Sequence, residues 1–323
     1  MPHTDANTSQ PPQRSGRFWF DDGSVLIGLM PTVYKVHNSI LDRHPAKFAP
    51  WVLDASDPVA LALSKAIGDH TVPIIAIPGE LGTAIEDFEV LLAYLYHDPY
   101  SRPAISFHQL ACILRASSPR QLGLTSIFEF ATREFADLFP GGPLPFTHRH
   151  SSEHLEEALE LALQYGVESE TKNALLYTVA TSTNFDPKSE YDPSGSETHH
   201  TSSEGAPHPD LSPRTLHICH RLLGSLIEDF TPVLFTVCAA SHMACTDIIA
   251  DHWMTDVITP ALVDSGVGRP LETLALIASL SWSEWGVCNE CVESKKAEWN
   301  DTAKDVWEKV GGWVEEAERE VRS

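Results

Sequence analysis

Segments that alternate apolar and polar residues lie near the start of this 323-residue chain, and helical periodicity prevails after them. The stretch 17–29, RFWFDDGSVLIGL, reads as strand, turn, strand, because two apolar runs flank an Asp-Asp-Gly-Ser turn signal. VYKVH alternates with a period of two, and VPIIAIPGELG contains a strand of the buried type. Strands at the start followed by consecutive helices predict an α+β fold, with helices stacked on an early sheet.

The later segments carry the spacing of amphipathic helices. Phe88, Leu91, Leu92 and Leu95 recur at i, i+3, i+4 and i+7, which predicts a core-facing helix. Further helices are predicted at 106–123, 124–139, 152–167, 171–181 and 216–230. The chain ends in a long predicted helix whose apolar face consists of Trp299, Ala303, Val306, Val310, Trp313 and Ala317.

Breaks in composition divide the chain. A polar, Pro-rich start predicts a disordered tail over residues 1–16, and the Gly/Pro-rich PGGPLPF ends an N-terminal domain that covers 17–140. A helical extension is predicted over 146–183. Ser, Thr, Pro, Gly and His dominate 184–213, which predicts a disordered linker, and a mostly α-helical region follows over 214–323.

The charge balance limits the partners of the protein. Asp and Glu number 45 and Lys and Arg number 22, so the formal charge is -23. Nucleic-acid binding requires clustered cations, and anionic lipid repels an acidic surface, so protein partners are expected and neither nucleic acid nor membrane is. Six cysteines without a secretory signal predict an intracellular protein, in the cytoplasm or the nucleus.

The region around His37 resembles a known family. A strand that ends in VYKVH, followed by SILDRHPAKF, is similar to the signature of the BTB/POZ domain. The resemblance extends over DDGSVLIGL, the PIIAIP strand, the FEVLLAYLYHDPY helix with its Tyr96, and the last two helices up to Phe139. FWFDDGSVLI and ISFHQLACILRASSPRQLGLTSIFEFATREF are most similar to the fungal BTB-domain proteins.

The resemblance implies a non-catalytic module for protein–protein interaction. Such domains are often homodimers, and some act as adaptors for cullin-type ubiquitin ligases or for transcriptional regulators. Phe18, Trp19 and Phe20 form the candidate interface here, because exposed aromatic strand edges favour pairing. His37 then has a structural role, with its ring packed and hydrogen-bonded at the strand–helix corner, since no local motif supplies the nucleophile or carboxylate that a general base needs.

Two Cys/His pairs in the C-terminal region form a candidate metal site. His242 and Cys245 are spaced H-x-x-C, and Cys288 and Cys291 are spaced C-x-x-C. Three thiols and one imidazole compose a structural zinc site of the Cys₃His type, and both pairs are predicted in the first turn of a helix. The 42 residues between Cys245 and Cys288 exceed the usual zinc-ribbon spacing, and Cys238 competes as a fourth ligand. The alternative to a metal site is that these cysteines are reduced thiols in ordinary helix packing.

Two further hypotheses remain open from the sequence. One is a zinc-stabilised regulatory adaptor in transcription or in a ubiquitin ligase. The other is an unrecognised enzyme, for which His217, Cys219 and His220 are the candidate residues, although the chain contains no G-x-S-x-G, P-loop, H-E-x-x-H or dinucleotide-binding motif.

Overall fold

The computed structural model describes six stretches of the chain, and every structural statement below refers to them: residues 11–41, 48–68, 72–96, 105–139, 154–182 and 211–322. The chain divides into two compact units, Met1–Phe135 and Ala136–Ser323. The predicted tail over 1–16 lies outside the described residues up to residue 10. The predicted linker over 184–213 lies outside them up to residue 210.

The N-terminal unit contains a mixed five-stranded sheet and helices. The strands, in the spatial order β1-β3-β2-β5-β4, are β1 (Gln13–Trp19), β2 (Val25–Leu29), β3 (Thr32–Val36), β4 (Val52–Leu53) and β5 (Ile74–Ala76). The helices are α1 (Asn38–Leu41), α2 (Pro58–Ile67), α3 (Ile85–Tyr96), α4 (Phe107–Ser117) and α5 (Thr125–Leu138). The predicted α+β class is therefore confirmed.

The central strand β2 is covered on both faces. It pairs antiparallel with β3 and parallel with β5, and all five of its residues are buried. On one face Leu26 belongs to a core cluster with Leu63 of α2. On the other face Tyr34 of β3 meets Phe88 of α3 with ring centroids 5.2 Å apart. Burial on both faces explains why β2 is a continuous apolar run.

The structure departs from the sequence prediction at several local points. Strand β1 begins at Gln13, inside the predicted tail, because it pairs in parallel with β3. Helix α1 is a single turn that begins at Asn38, directly after the His37 corner. The sequence prediction has no helix at α2, although Asp57 caps it by accepting a hydrogen bond from the Val59 N–H and Gly68 ends it in the left-handed conformation.

The C-terminal unit is helical throughout its described part. Its α-helices are α6 (Leu155–Tyr165), α7 (Ser169–Ala180), α8 (Pro213–Phe235), α9 (Met243–His252), α10 (Thr259–Val263), α11 (Pro270–Ser279) and α12 (Asn289–Arg322). A π-helical segment, Trp253–Ile258, joins α9 to α10. Among the described helices, none combines the length and the apolar character that crossing a bilayer requires.

The long helix α12 packs along α7, α8 and α11. Trp299, Ala303, Val306, Val310 and Ala317 of the predicted apolar face are buried, which confirms the helix and most of its face. Trp313 is only half-buried, and Val314 occupies the core position instead. A helical turn has 3.6 residues, so a repeat of seven residues does not stay on one face. Over several turns the buried position therefore moves from Trp313 to Val314.

A buried ion pair joins α3 to α4 in the N-terminal unit. Arg115 donates from Nη2 to Asp87 Oδ1 over 2.9 Å and from Nε to Asp87 Oδ2 over 3.0 Å. The Asp87 side chain is 6% exposed and that of Arg115 is 26% exposed. The two-pronged geometry compensates the carboxylate for its lost hydration.

We predict that Asp87→Ala destabilises this unit by about 3 kcal/mol, because it leaves Arg115 partly buried without its counter-ion. Glu86→Ala is the matched control, since Glu86 is the adjacent acid and its pair with His108 is exposed, so its cost is expected below about 0.5 kcal/mol. Hydrogen–deuterium exchange of α3 and α4 peptides in increasing urea measures both changes. Equal effects of the two substitutions would contradict the prediction.

Candidate metal centre

The two Cys/His pairs lie at the beginnings of two helices. His242 directly precedes α9 in an extended conformation, and Cys245 is in the first turn of that helix. Cys288 directly precedes α12, and Cys291 is in its first turn. The predicted placement in first helical turns is confirmed for Cys245 and Cys291. The spacing of three residues puts both members of a pair on the same side.

The structure brings these two pairs together. One ligand atom from each of His242, Cys245, Cys288 and Cys291 lies within 4.8 Å of the others. His242 Nδ1 is 3.3 Å from Cys288 Sγ and 3.5 Å from Cys291 Sγ. Zinc–nitrogen and zinc–sulphur bonds of ordinary length in a tetrahedron place nitrogen and sulphur about 3.6 Å apart. The four donors, named the Cys₃His group below, could therefore hold a metal ion.

The Cys₃His group is partly buried. Cys245 and Cys291 are buried, Cys288 is half-buried and His242 is exposed. Cys238, the competing fourth ligand, is not part of this group. The thiols thus point into the unit, while the imidazole closes the group on the solvent side.

Hydrogen bonds within the group prepare one thiol for deprotonation. The pKa of Cys288 is lowered to about 7, first by the backbone N–H of Cys291 and then by the His242 side chain. The same contact with Cys288 raises the pKa of His242. Burial raises the pKa of Cys291. Cys288 therefore supplies a thiolate more readily than Cys291 at neutral pH.

An aromatic cluster positions the segment that leads to Cys288. Trp282 is buried, and its ring lies 6.4 Å from that of Trp253, 5.1 Å from that of Trp285 and 5.7 Å from that of Trp299. The ring of His252 stacks on Trp285 at 4.1 Å. These contacts connect the end of α9 to the start of α12, so the two ligand pairs are brought together by packing.

The turn between this cluster and the C-x-x-C pair needs a glycine. Gly286 has a φ of 105°, a conformation that L side chains rarely adopt. Before the turn, Trp282 donates from Nε1 to the Ile277 carbonyl over 2.8 Å. The chain direction into Cys288 is therefore set by local geometry.

The predicted corner residue His37 is packed and hydrogen-bonded. Its backbone N–H donates to Tyr96 Oη over 3.0 Å, and its Nδ1 lies 3.0 Å from the same oxygen. Its Nε2 is 3.2 Å from Asp22 Oδ2, and its ring centroid is 5.2 Å from that of Phe20. The hydrogen bond to His37 lowers the pKa of Asp22. The contacts link β3 to α3, so the packed and hydrogen-bonded ring is confirmed, whereas Asp22 supplies beside the ring a carboxylate that no local motif had indicated.

The candidate interface differs from the expected exposed aromatic edge. β1 is an edge strand, but its pairing with β3 is irregular between Arg14 and Trp19, and Ser15 Oγ accepts hydrogen bonds from the backbone there. Phe18 is buried, so its prediction as an exposed contact is wrong: the bulge turns this side chain inward. Trp19 and Phe20 are half-buried, and their contact with a second copy stays a prediction.

The three candidate residues for an enzyme lie in α8. Cys219 is buried, and burial raises its pKa far above that of an ordinary thiol. His217 is on the surface, with Nε2 3.5 Å from Glu320 Oε2. A buried neutral thiol is a poor nucleophile, so Cys219 does not suit that role.

Sequence reasoning missed a cavity in the C-terminal unit. It has a volume of about 310 Å³ and lies between the end of α8, the π-helical segment, α11 and α12. The helix predicted over 216–230 ends before Pro232, whereas the observed α8 continues through Pro232 to Phe235 beside the cavity. Its lining comes from four separate segments, and no single pattern reveals such an arrangement.

Comparisons with known proteins gave no match: no protein-family model, no curated protein and no solved structure matches the chain. The BTB/POZ resemblance therefore stays a prediction from the sequence.

In the metal-free protein, we predict that Cys288 reacts with iodoacetamide at pH 7 at least about tenfold faster than Cys238. About half of Cys288 is thiolate at that pH, whereas burial raises the pKa of Cys238. Mass spectrometry of timed samples from pH 6 to pH 8 gives both rates, and the rate at Cys288 should level off above pH 7. Similar rates for the two thiols would show that the Cys₃His group does not activate Cys288.

Proposed function

We propose that the chain is a non-catalytic protein-interaction protein whose helical unit is stabilised by a structural zinc ion. The observation that carries the metal proposal is the convergence of His242, Cys245, Cys288 and Cys291 within 4.8 Å. Two pairs that are distant in sequence meet there with donor spacings close to those of a tetrahedral site.

Zinc suits these donors better than a hard cation. Thiolate and imidazole ligands in a tetrahedral set are typical of zinc, whereas calcium and magnesium require oxygen ligands. Four protein donors leave no open position for a water or a substrate, and this arrangement is typical of structural sites. When bound, the ion would supply a cross-link between the beginnings of α9 and α12.

The N-terminal unit supports the interaction part of the proposal. Its order of elements is the β2–β3 hairpin, the His37 corner, α2, β5, α3 and then the pair α4 and α5. The BTB/POZ resemblance implies a small early sheet and a helical cluster of this kind. A net charge of -23 also favours protein partners over nucleic acid. Homodimerisation or an adaptor role follows as the proposed activity.

We predict one zinc per chain in protein purified without chelators, and none in Cys288→Ser or Cys291→Ser. Removing zinc should lower the unfolding temperature of the helical unit by about 8–16 °C, because an ion at a thousand times its Kd stabilises the fold by about 4 kcal/mol. Elemental analysis gives the zinc content. Tryptophan fluorescence follows unfolding, since six of the eight tryptophans lie in this unit.

Cys238→Ser is the matched control, because this thiol does not belong to the group. It should keep its zinc. The proposal would be contradicted if the wild-type protein stays metal-free after zinc addition and unfolds at an unchanged temperature. The four residues would then be ordinary packing residues at the helix starts.

For the interaction module, we predict a dimer by light scattering, with twice the 35.6 kDa mass of one chain. Trp19→Ala should weaken the dimer at least about tenfold, because Trp19 is a half-buried aromatic residue on the edge strand. Trp51→Ala is the control, since Trp51 is also half-buried but lies outside β1. A monomer at every concentration would contradict the dimer, and equal effects of both variants would exclude the β1 edge.

A further inference from the structure

The cavity at the end of α8 has a buried apolar floor and an exposed mouth. The floor consists of Phe230, Leu234, Trp253, Leu274, Ile277 and Trp299, all of which are buried. Val233, Val237, Ala239 and Glu298 at the mouth are exposed. The shape is that of a ligand pocket, in which aromatic and aliphatic walls surround a few polar groups.

The cavity is open to solvent at its mouth, and its volume is much larger than that of one water molecule. Protein interiors are packed like organic crystals, and voids larger than a water molecule are few. A volume of about 310 Å³ exceeds the share of one water molecule in the liquid, about 30 Å³, roughly tenfold. It lies at the lower end of the range for small-molecule sites. The space suits a molecule with about ten non-hydrogen atoms.

Two irregular helical segments form the walls. Pro232 lies inside α8 directly before Val233 at the mouth, and it lacks the N–H that would continue the helical bonding pattern. Trp253 begins the π-helical segment. This geometry is rare in proteins, and where it occurs it is often part of a functional site. Trp253 also donates from Nε1 to the Leu234 carbonyl over 2.9 Å, which fixes one wall against the other.

No cationic side chain is among the described residues that line the cavity, which disfavours an anionic ligand. Burial raises the pKa of Cys238, so its thiol is neutral. Glu298 is the charged residue at the mouth, and it is already paired with Lys295. The net charge of -23 repels anions further.

We propose that this cavity is a binding site for a small, uncharged and mainly apolar molecule with about ten non-hydrogen atoms. The proposal does not rest on the metal ion or on the BTB/POZ resemblance, because its walls are side chains of the C-terminal unit alone.

The test uses n-butylbenzene, which has ten carbon atoms, with the full-length protein. At a free concentration ten times its Kd, it should raise the unfolding temperature of the helical unit by about 3–6 °C. It should also change the fluorescence of Trp253 and Trp299, which line the cavity. 4-Phenylbutyrate, an anion of similar size, should bind at least about tenfold more weakly.

Two leucines of α11 give a matched pair of variants. Leu274→Trp fills the cavity from its floor and should weaken the binding of n-butylbenzene at least about tenfold. Leu276→Trp adds the same bulk at a residue that is 47% exposed and should leave this binding unchanged. Ala239→Trp obstructs the mouth from an exposed position, so it tests the site if Leu274→Trp does not fold. Absence of binding to the wild type, or equal binding to Ala239→Trp and Leu276→Trp, would overturn the proposal.

Discussion

Burial of one face of α12 is the interaction on which the rest of the helical unit depends. The helix is 34 residues long. Helices in proteins gain most of their stability from the packing of an apolar face against the rest of the fold. Val310 and Val314 are fully buried along it. Lys172 of α7 and Glu318 of α12 add an ion pair of 2.9 Å between side chains that are mostly buried. The beginning of the same helix carries Cys291, and its next turns carry Trp299, so the Cys₃His group and the cavity both take their positions from this packing.

The donors of the Cys₃His group meet because two helices begin at the same place. Each helix start offers unpaired backbone N–H groups, and the N–H of Cys291 is directed at Cys288. His242 Nδ1 lies within hydrogen-bonding distance of two of the thiols, Cys288 and Cys291. That arrangement keeps the donors close together, and it places an ionisable thiol and an imidazole in contact in a chain whose formal net charge is -23. A divalent cation is the group that this electrostatic environment favours.

Sequence patterns predict the features that depend on neighbouring residues, and they miss those that depend on tertiary contacts. The period of 3.6 residues predicts α12, and the i, i+3 spacings of His242–Cys245 and Cys288–Cys291 predict the two ligand pairs, since each depends on a single helical turn. The closeness of the two pairs depends on Trp253 and Trp282, which are 29 positions apart and contact each other only in the fold. The parallel pairing of β1 with β3 and the inward turn of Phe18 also depend on tertiary contacts. Helix α2 is different: Asp57, Pro58 and Gly68 signal it locally, and the sequence prediction overlooked them.

The cavity and the Cys₃His group share one piece of chain. Residues 236–239 line the mouth of the cavity, and His242 lies three positions after Ala239. Between them, the Ala240 N–H donates to Thr246 Oγ1 over 2.8 Å, which ties this segment to α9. An ion held by His242 fixes the far end of the segment, and a molecule in the cavity packs against its near end. If either one reduces the freedom of the segment, thermodynamic linkage requires that it strengthens the binding of the other by the same factor.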